Sequence, residues 1–137
     1  MIEIASTLST GKPVRYEYDP EGDLLEIVFR QTEATAAIEL TESIILRFDL
    51  ATSEPLSLSF IGFLRLIKPA KYGAPHFRLL ADEWPDDLQG QVSAMLDAAP
   101  LNEFLQIGSY IPRRARRAIP LAVVKQPQAF PQFVSSQ

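Results

Sequence analysis

The stretch from residue 14 to residue 29, Val-Arg-Tyr-Glu-Tyr-Asp-Pro-Glu-Gly-Asp-Leu-Leu-Glu-Ile-Val-Phe, limits the fold more than any other part of the chain. Tyr16 and Tyr18 alternate with Arg15 and Glu17 on one side. Leu25, Ile27 and Phe29 alternate with Leu24, Glu26 and Val28 on the other. A period of two is that of a β-strand with one buried face, and five turn-forming residues around Pro20 and Gly22 separate the two runs, which predicts a β-hairpin. Asp19 and Asp23 flank its loop, where short carboxylates accept backbone amides and hold a turn, so Asp19, Gly22 and Asp23 read as structural turn residues.

The pattern continues downstream. Residues 36–40 form a short candidate strand, and Ile44, Leu46 and Phe48 alternate with Ile45, Arg47 and Asp49. Leu56, Leu58 and Phe60 then share one face while Ser57 and Ser59 share the other. Apolar content runs on from 61 to 67, with Gly62 as a bulge candidate. Residues 1–13 form a lead-in able to pair as an edge strand. Four to six strands joined by short turns predict an antiparallel meander with one wet face.

The hairpin motif, with Tyr18 and Asp19 followed by Asp23, Leu25 and Ile27, resembles the small bacterial family known as domain of unknown function 2283, whose members share a Tyr-Asp-x-x-x-Asp-x-Leu-Tyr-Ile hairpin. The resemblance covers residues 14–67. Glu26 stands where those members usually carry tyrosine, and Asp49-Leu-Ala-Thr-Ser-Glu-Pro55 replaces their usual Asp-x-x-Gly turn. The resemblance implies the antiparallel fold and carries no established reaction. Some members resemble partners of small toxins in bacterial operons.

Beyond residue 68 the periodicity changes. A helix is expected over 85–99: Pro85 suits the first helical position, Asp86 and Asp87 complement the helix dipole, and Leu88, Val92, Met95 and Leu96 fall on one face. Gly90 weakens it by about 1 kcal/mol against alanine, so the helix depends on the sheet. Residues 107–111 and 120–124 are further strand candidates. The fold class is therefore α+β, an antiparallel sheet with one main C-terminal helix packed on it, as a single domain over 1–125, followed by a Pro/Gln-rich tail over 126–137.

Charge divides the chain. Residues 1–103 hold all 17 acidic groups and 8 of the 13 basic ones, a balance of −9, whereas residues 104–137 hold 5 basic groups and no acid. The absence of cysteine excludes disulfides, thiolate metal sites and thiol nucleophiles. No apolar run reaches the roughly 18 residues of a membrane helix, and the first residues lack a basic, apolar leader, so a cytoplasmic location is expected without a membrane span.

No catalytic or cofactor signature stands out along the chain. Asp19, Glu21 and Asp23 alternate like the start of a calcium loop, but Leu24 and Arg30 occupy the positions where an EF-hand needs glycine and a bidentate acid. His76 is the single histidine and has neither nucleophile nor ligand spacing around it. The sequence therefore predicts no catalytic residue, no cofactor and no metal. A small-ligand binder would have to draw on Tyr16, Tyr18, Asp49 and His76 in some combination.

The remaining chemistry lies in contact elements. Arg113, Arg114, Arg116 and Arg117 form a basic run, too thin on an acidic chain for a nucleic-acid footprint, and Phe130, Phe133 and Val134 are apolar anchors in the tail. These features predict a non-enzymatic protein-interaction module, an accessory or assembly subunit or a homo-oligomer, whose partner is another protein or a copy of itself. The alternatives are an antitoxin-like acidic partner of a small toxin, with nucleic-acid contact through the arginines, and the small-ligand binder.

Overall fold

The structure, a computed structural model, describes residues 1–67, 76–110 and 119–125, and at 76, 109, 110 and 119 the backbone alone. Six strands form the larger sheet: β1 (Ile2–Thr7), β2 (Pro13–Asp19), β3 (Leu24–Val28), β4 (Ala36–Thr41), β5 (Ile44–Asp49) and β6 (Glu54–Ile61). All neighbours are antiparallel. Their order is β1-β2-β3-β6-β5-β4, which differs from a simple meander. Two hairpin-linked triplets meet where β3 pairs with β6, and residues 29–35 cross between them. Burial accounts for the difference. Residues 56–60 of β6 are all buried, and a meander in chain order would have left this strand at an exposed edge.

Gly62, at φ +73°, ends β6, and residues 63–67 turn into a short helix, α1 (Phe63–Ile67), where the sequence suggested continued strand. Phe63 and Leu66 are the buried residues of that turn, and Phe63 meets both Tyr18 and Phe60 edge to face with ring centroids 6.0 Å apart. Such aromatic pairs fix the position of the helix as well as burying area.

A second sheet of three antiparallel strands, in the order β7-β9-β8, contains β7 (His76–Arg78), β8 (Leu105–Tyr110) and β9 (Ile119–Val124). Between β7 and β8 lies the main helix, α2 (Asp86–Leu96). It stops three residues before the expected end at 99: Asp97 is its C-cap, and the Ala98 amide bonds the Met95 carbonyl, three residues back rather than four. Val92, Met95 and Leu96 enter the core and Leu88 packs beside it. Gln91 donates to the Leu50 carbonyl and the Ser53 hydroxyl, tying α2 to the β5–β6 turn.

One contiguous core joins these parts. Tyr16, Leu25, Leu46 and Phe60 of the larger sheet share it with Phe104, Leu105, Ala122 and Val124. Tyr16 meets Phe104 edge to face at 6.2 Å. Mostly antiparallel sheet with one main helix is an α+β architecture. Among the described residues, no helix is long and apolar enough to cross a membrane.

Candidate functional site

The hairpin loop forms a junction with α1. Asp19 accepts the Glu21 amide at 3.1 Å, and Gly22 is close enough to Asp19 that a Cβ there would stand 3.2 Å from its carboxylate. Asp23, at φ +51°, reaches across 41 residues: its carboxylate accepts the Leu64 amide, and its carbonyl accepts the amides of Gly62 and Phe63. One residue thus satisfies three amides at the start of α1. Its Oδ1 also accepts the Tyr18 hydroxyl at 2.7 Å. Burial, together with this bond to a carboxylate, pushes the Tyr18 phenol up to about 12. Tyr16 is raised as well, first by burial and then by Glu103.

The outer face of the larger sheet is set by register. One row across the strands reads Glu3, Glu17, Glu26, Ser59, Ile45 and Glu39, and the next reads Ala5, Arg15, Val28, Ser57, Arg47 and Ala37. Ser57 and Ser59 are each 5% exposed although they lie on the face opposite the core. Short side chains in a central strand sink between longer neighbours, and Arg47 donates to the Ser59 hydroxyl at 2.7 Å. The result is a trough of about 430 Å³, with Ser57 and Val28 among its lining and Arg15, Arg30, Arg47, Glu17, Glu26 and Glu33 around it. Arg15 pairs with Glu17 at 2.6 Å and donates to Gln31 at 2.7 Å. Both charge signs line this trough, an arrangement that can pair with a polar protein surface.

The two edges of the sheet differ. At β4 the Leu40 carbonyl accepts the Leu80 amide and the Glu39 carbonyl accepts the Trp84 indole N–H, both at 2.8 Å, so the segment before α2 occupies that edge at residues 39 and 40. At β1, among the described residues, β2 is the only paired neighbour. The Leu8 amide donates to the Lys12 carbonyl at 2.8 Å, which makes these two a hydrogen-bonded pair at the end of the hairpin. Antiparallel pairs alternate, so Ile2, Ile4 and Ser6 turn their backbone groups toward β2. Glu3, Ala5 and Thr7 turn theirs outward, as a row of donors and acceptors open to another strand.

The other residues singled out in the sequence are scattered. Tyr16 and Tyr18 lie in the core, Asp49 accepts the Ala51 amide in the β5–β6 turn, and the backbone of His76 pairs with Val123 in the second sheet. Arg113, Arg114, Arg116, Arg117, Phe130, Phe133 and Val134 lie outside the described residues. The edge position of β1 was signalled by Ile2 and Ile4 alternating with Glu3 and Ala5, without proline or lysine to block pairing, whereas which backbone groups turn outward follows from the Leu8–Lys12 pair. Comparison with protein-family models, with curated proteins and with solved structures finds no match to this chain.

Proposed function

We propose that the chain is a non-enzymatic protein-interaction module, an accessory or assembly subunit, that works by adding a strand to the open edge of its larger sheet. The observation that carries this reading is the outward row of backbone groups at Glu3, Ala5 and Thr7, on a sheet whose opposite edge is occupied at residues 39 and 40. Strand addition draws affinity from main-chain hydrogen bonds and specificity from flanking side chains. The charged trough of Arg15, Arg47, Glu17 and Glu26 supplies such flanking contacts.

The basic run of Arg113, Arg114, Arg116 and Arg117 and the anchors Phe130, Phe133 and Val134 belong to the same proposal on sequence grounds, as does kinship of residues 14–67 with the family named above. An Ala5→Pro variant removes one outward N–H from an edge strand, a change such strands accept without unfolding. Co-purification of the tagged chain from its host, together with a differently tagged second copy and with identification by mass, should recover a bound protein for the wild type. The Ala5→Pro variant, with unchanged melting, should lose it. Equal capture by both would reject the edge as the contact element.

A further inference from the structure

The outer-face rows make the β1 edge complementary to itself. Within one copy Glu3 stands opposite Glu17, and Glu17 opposite Glu26, three carboxylates in lateral succession. Like charges directly opposite one another destabilise a sheet. The neighbouring row places Ala5 opposite Arg15. A second β1 laid antiparallel along the first can hydrogen-bond only where outward residues meet outward residues, which leaves few registers.

Centring the two-fold axis on Glu3 sets Glu3 against its own copy, carboxylate on carboxylate. Centring it on Ala5 sets Glu3 against Thr7, with no cation beyond. Centring it on Ile4 sets Glu3 against Ala5 of the second copy, and the next residue along that row is Arg15. The row then runs Glu26, Glu17, Glu3, Ala5, Arg15 through both copies, and the acidic half of each meets the basic half of the other. Two strand spacings, about 10 Å between Cα atoms, separate Glu3 from that arginine. The alanine between them has only a methyl, so both long side chains can meet above it. Five N–H donors allow Arg15 to serve this carboxylate as well as Glu17 and Gln31.

The core face agrees with the same register. Ile2 and Ile4 are half-buried and pack against the core. With the axis at Ile4, this residue meets its own copy in a non-hydrogen-bonded pair, the closer of the two antiparallel pair types. The two half-covered Ile4 side chains then cover each other.

We infer that two copies of this chain pair antiparallel through β1 about a two-fold axis at Ile4, giving one sheet continuous through both. The inference rests on the edge-strand reading above and names its occupant. The chain contains no cysteine, so single introduced thiols report on register without background. In an Ile4→Cys variant the paired Cα atoms stand about 4.5 Å apart, within the span of a disulfide. In an Ala5→Cys variant the equivalent atoms stand about 8 Å apart, beyond that span.

Light scattering of the wild type across concentrations, followed by mild oxidation of both variants, is the test. A wild-type dimer, with efficient cross-linking at position 4 and several-fold less at position 5, is the expected result. A dimer that cross-links best at position 5, or at neither position, overturns the inference. So does a wild type that stays monomeric at every concentration. If that monomer still captures a different protein, and loses it on Ala5→Pro, self-pairing falls while the interaction reading stands.

Discussion

Asp23 concentrates more local structure than any other single residue described. Its carboxylate receives the Tyr18 hydroxyl and the Leu64 amide, while its carbonyl receives two further amides. Replacement by alanine removes the cap of α1 and the partner of a buried phenol, and places a Cβ-bearing residue without a polar side chain at φ +51°. The expected loss is about 3 kcal/mol, from roughly 1 for the cap and 1.5–3 for a bond to a charged acceptor, read from urea denaturation. Asp23→Asn keeps an acceptor and tolerates positive φ, so it should cost less than half as much.

Tyr18 adds a pH signature at the same junction. Its phenol is raised from 10.0 to about 12 in the folded protein. Below pH 10 the phenol is protonated in both folded and unfolded chains, and its contribution is fully present. Above pH 10 the unfolded chain ionises first, so stability falls as pH rises and the contribution is lost on passing about 12. Denaturation midpoints measured from pH 9 upward should decline through this window, with phenolate absorbance lagging behind that of the unfolded chain. A Tyr18→Phe variant should show a shallower decline.

Among the elements, β6 and α2 show how far sequence carries. Alternation of Leu56, Leu58 and Phe60 with Ser57 and Ser59 was enough to define a strand and its two faces. It could not show that both faces would be buried, because burial of the serines comes from β3 and β5 on either side. Strand order escaped for the same reason: pairing of β3 with β6 joins residues 29 to 37 positions apart, and no local period encodes it. The second sheet escaped because β7 has only three residues. In α2 the apolar face was legible from Leu88, Val92, Met95 and Leu96, whereas its end is marked by the Ala98 amide turning to the Met95 carbonyl, which no local period encodes.

Gly90 tests the helix directly. It is exposed, lies within α2, and a Cβ built there meets nothing within 4 Å. Gly90→Ala should therefore stabilise the protein by about 0.5–1 kcal/mol, through helix propensity and a less flexible unfolded chain. A rise of a few degrees in melting temperature would register it.

For the whole molecule, the fold positions an asymmetry. One edge of the larger sheet is occupied at residues 39 and 40 by the Leu80 and Trp84 contacts, and the other presents Glu3, Ala5 and Thr7 outward. The sequence showed β1 as a candidate edge strand. It could not show which residues face outward, since that parity is fixed by the Leu8–Lys12 pair and by Gly11, at φ +89°, closing the β1–β2 turn. The charge rows across β1, β2 and β3 are likewise a product of register, visible only once the strands are aligned.

Amide hydrogen exchange along β1, followed as protein concentration is raised, tests the proposed edge pairing most directly. The amides of Ile4 and Ser6, bonded toward β2, should be protected at every concentration. Those of Glu3 and Ala5, which face each other in the proposed register, should exchange freely in dilute protein and become protected together as the concentration rises. Outward amides that exchange freely at all concentrations, including those at which the protein is assembled, would contradict the proposal that this chain works through its open strand.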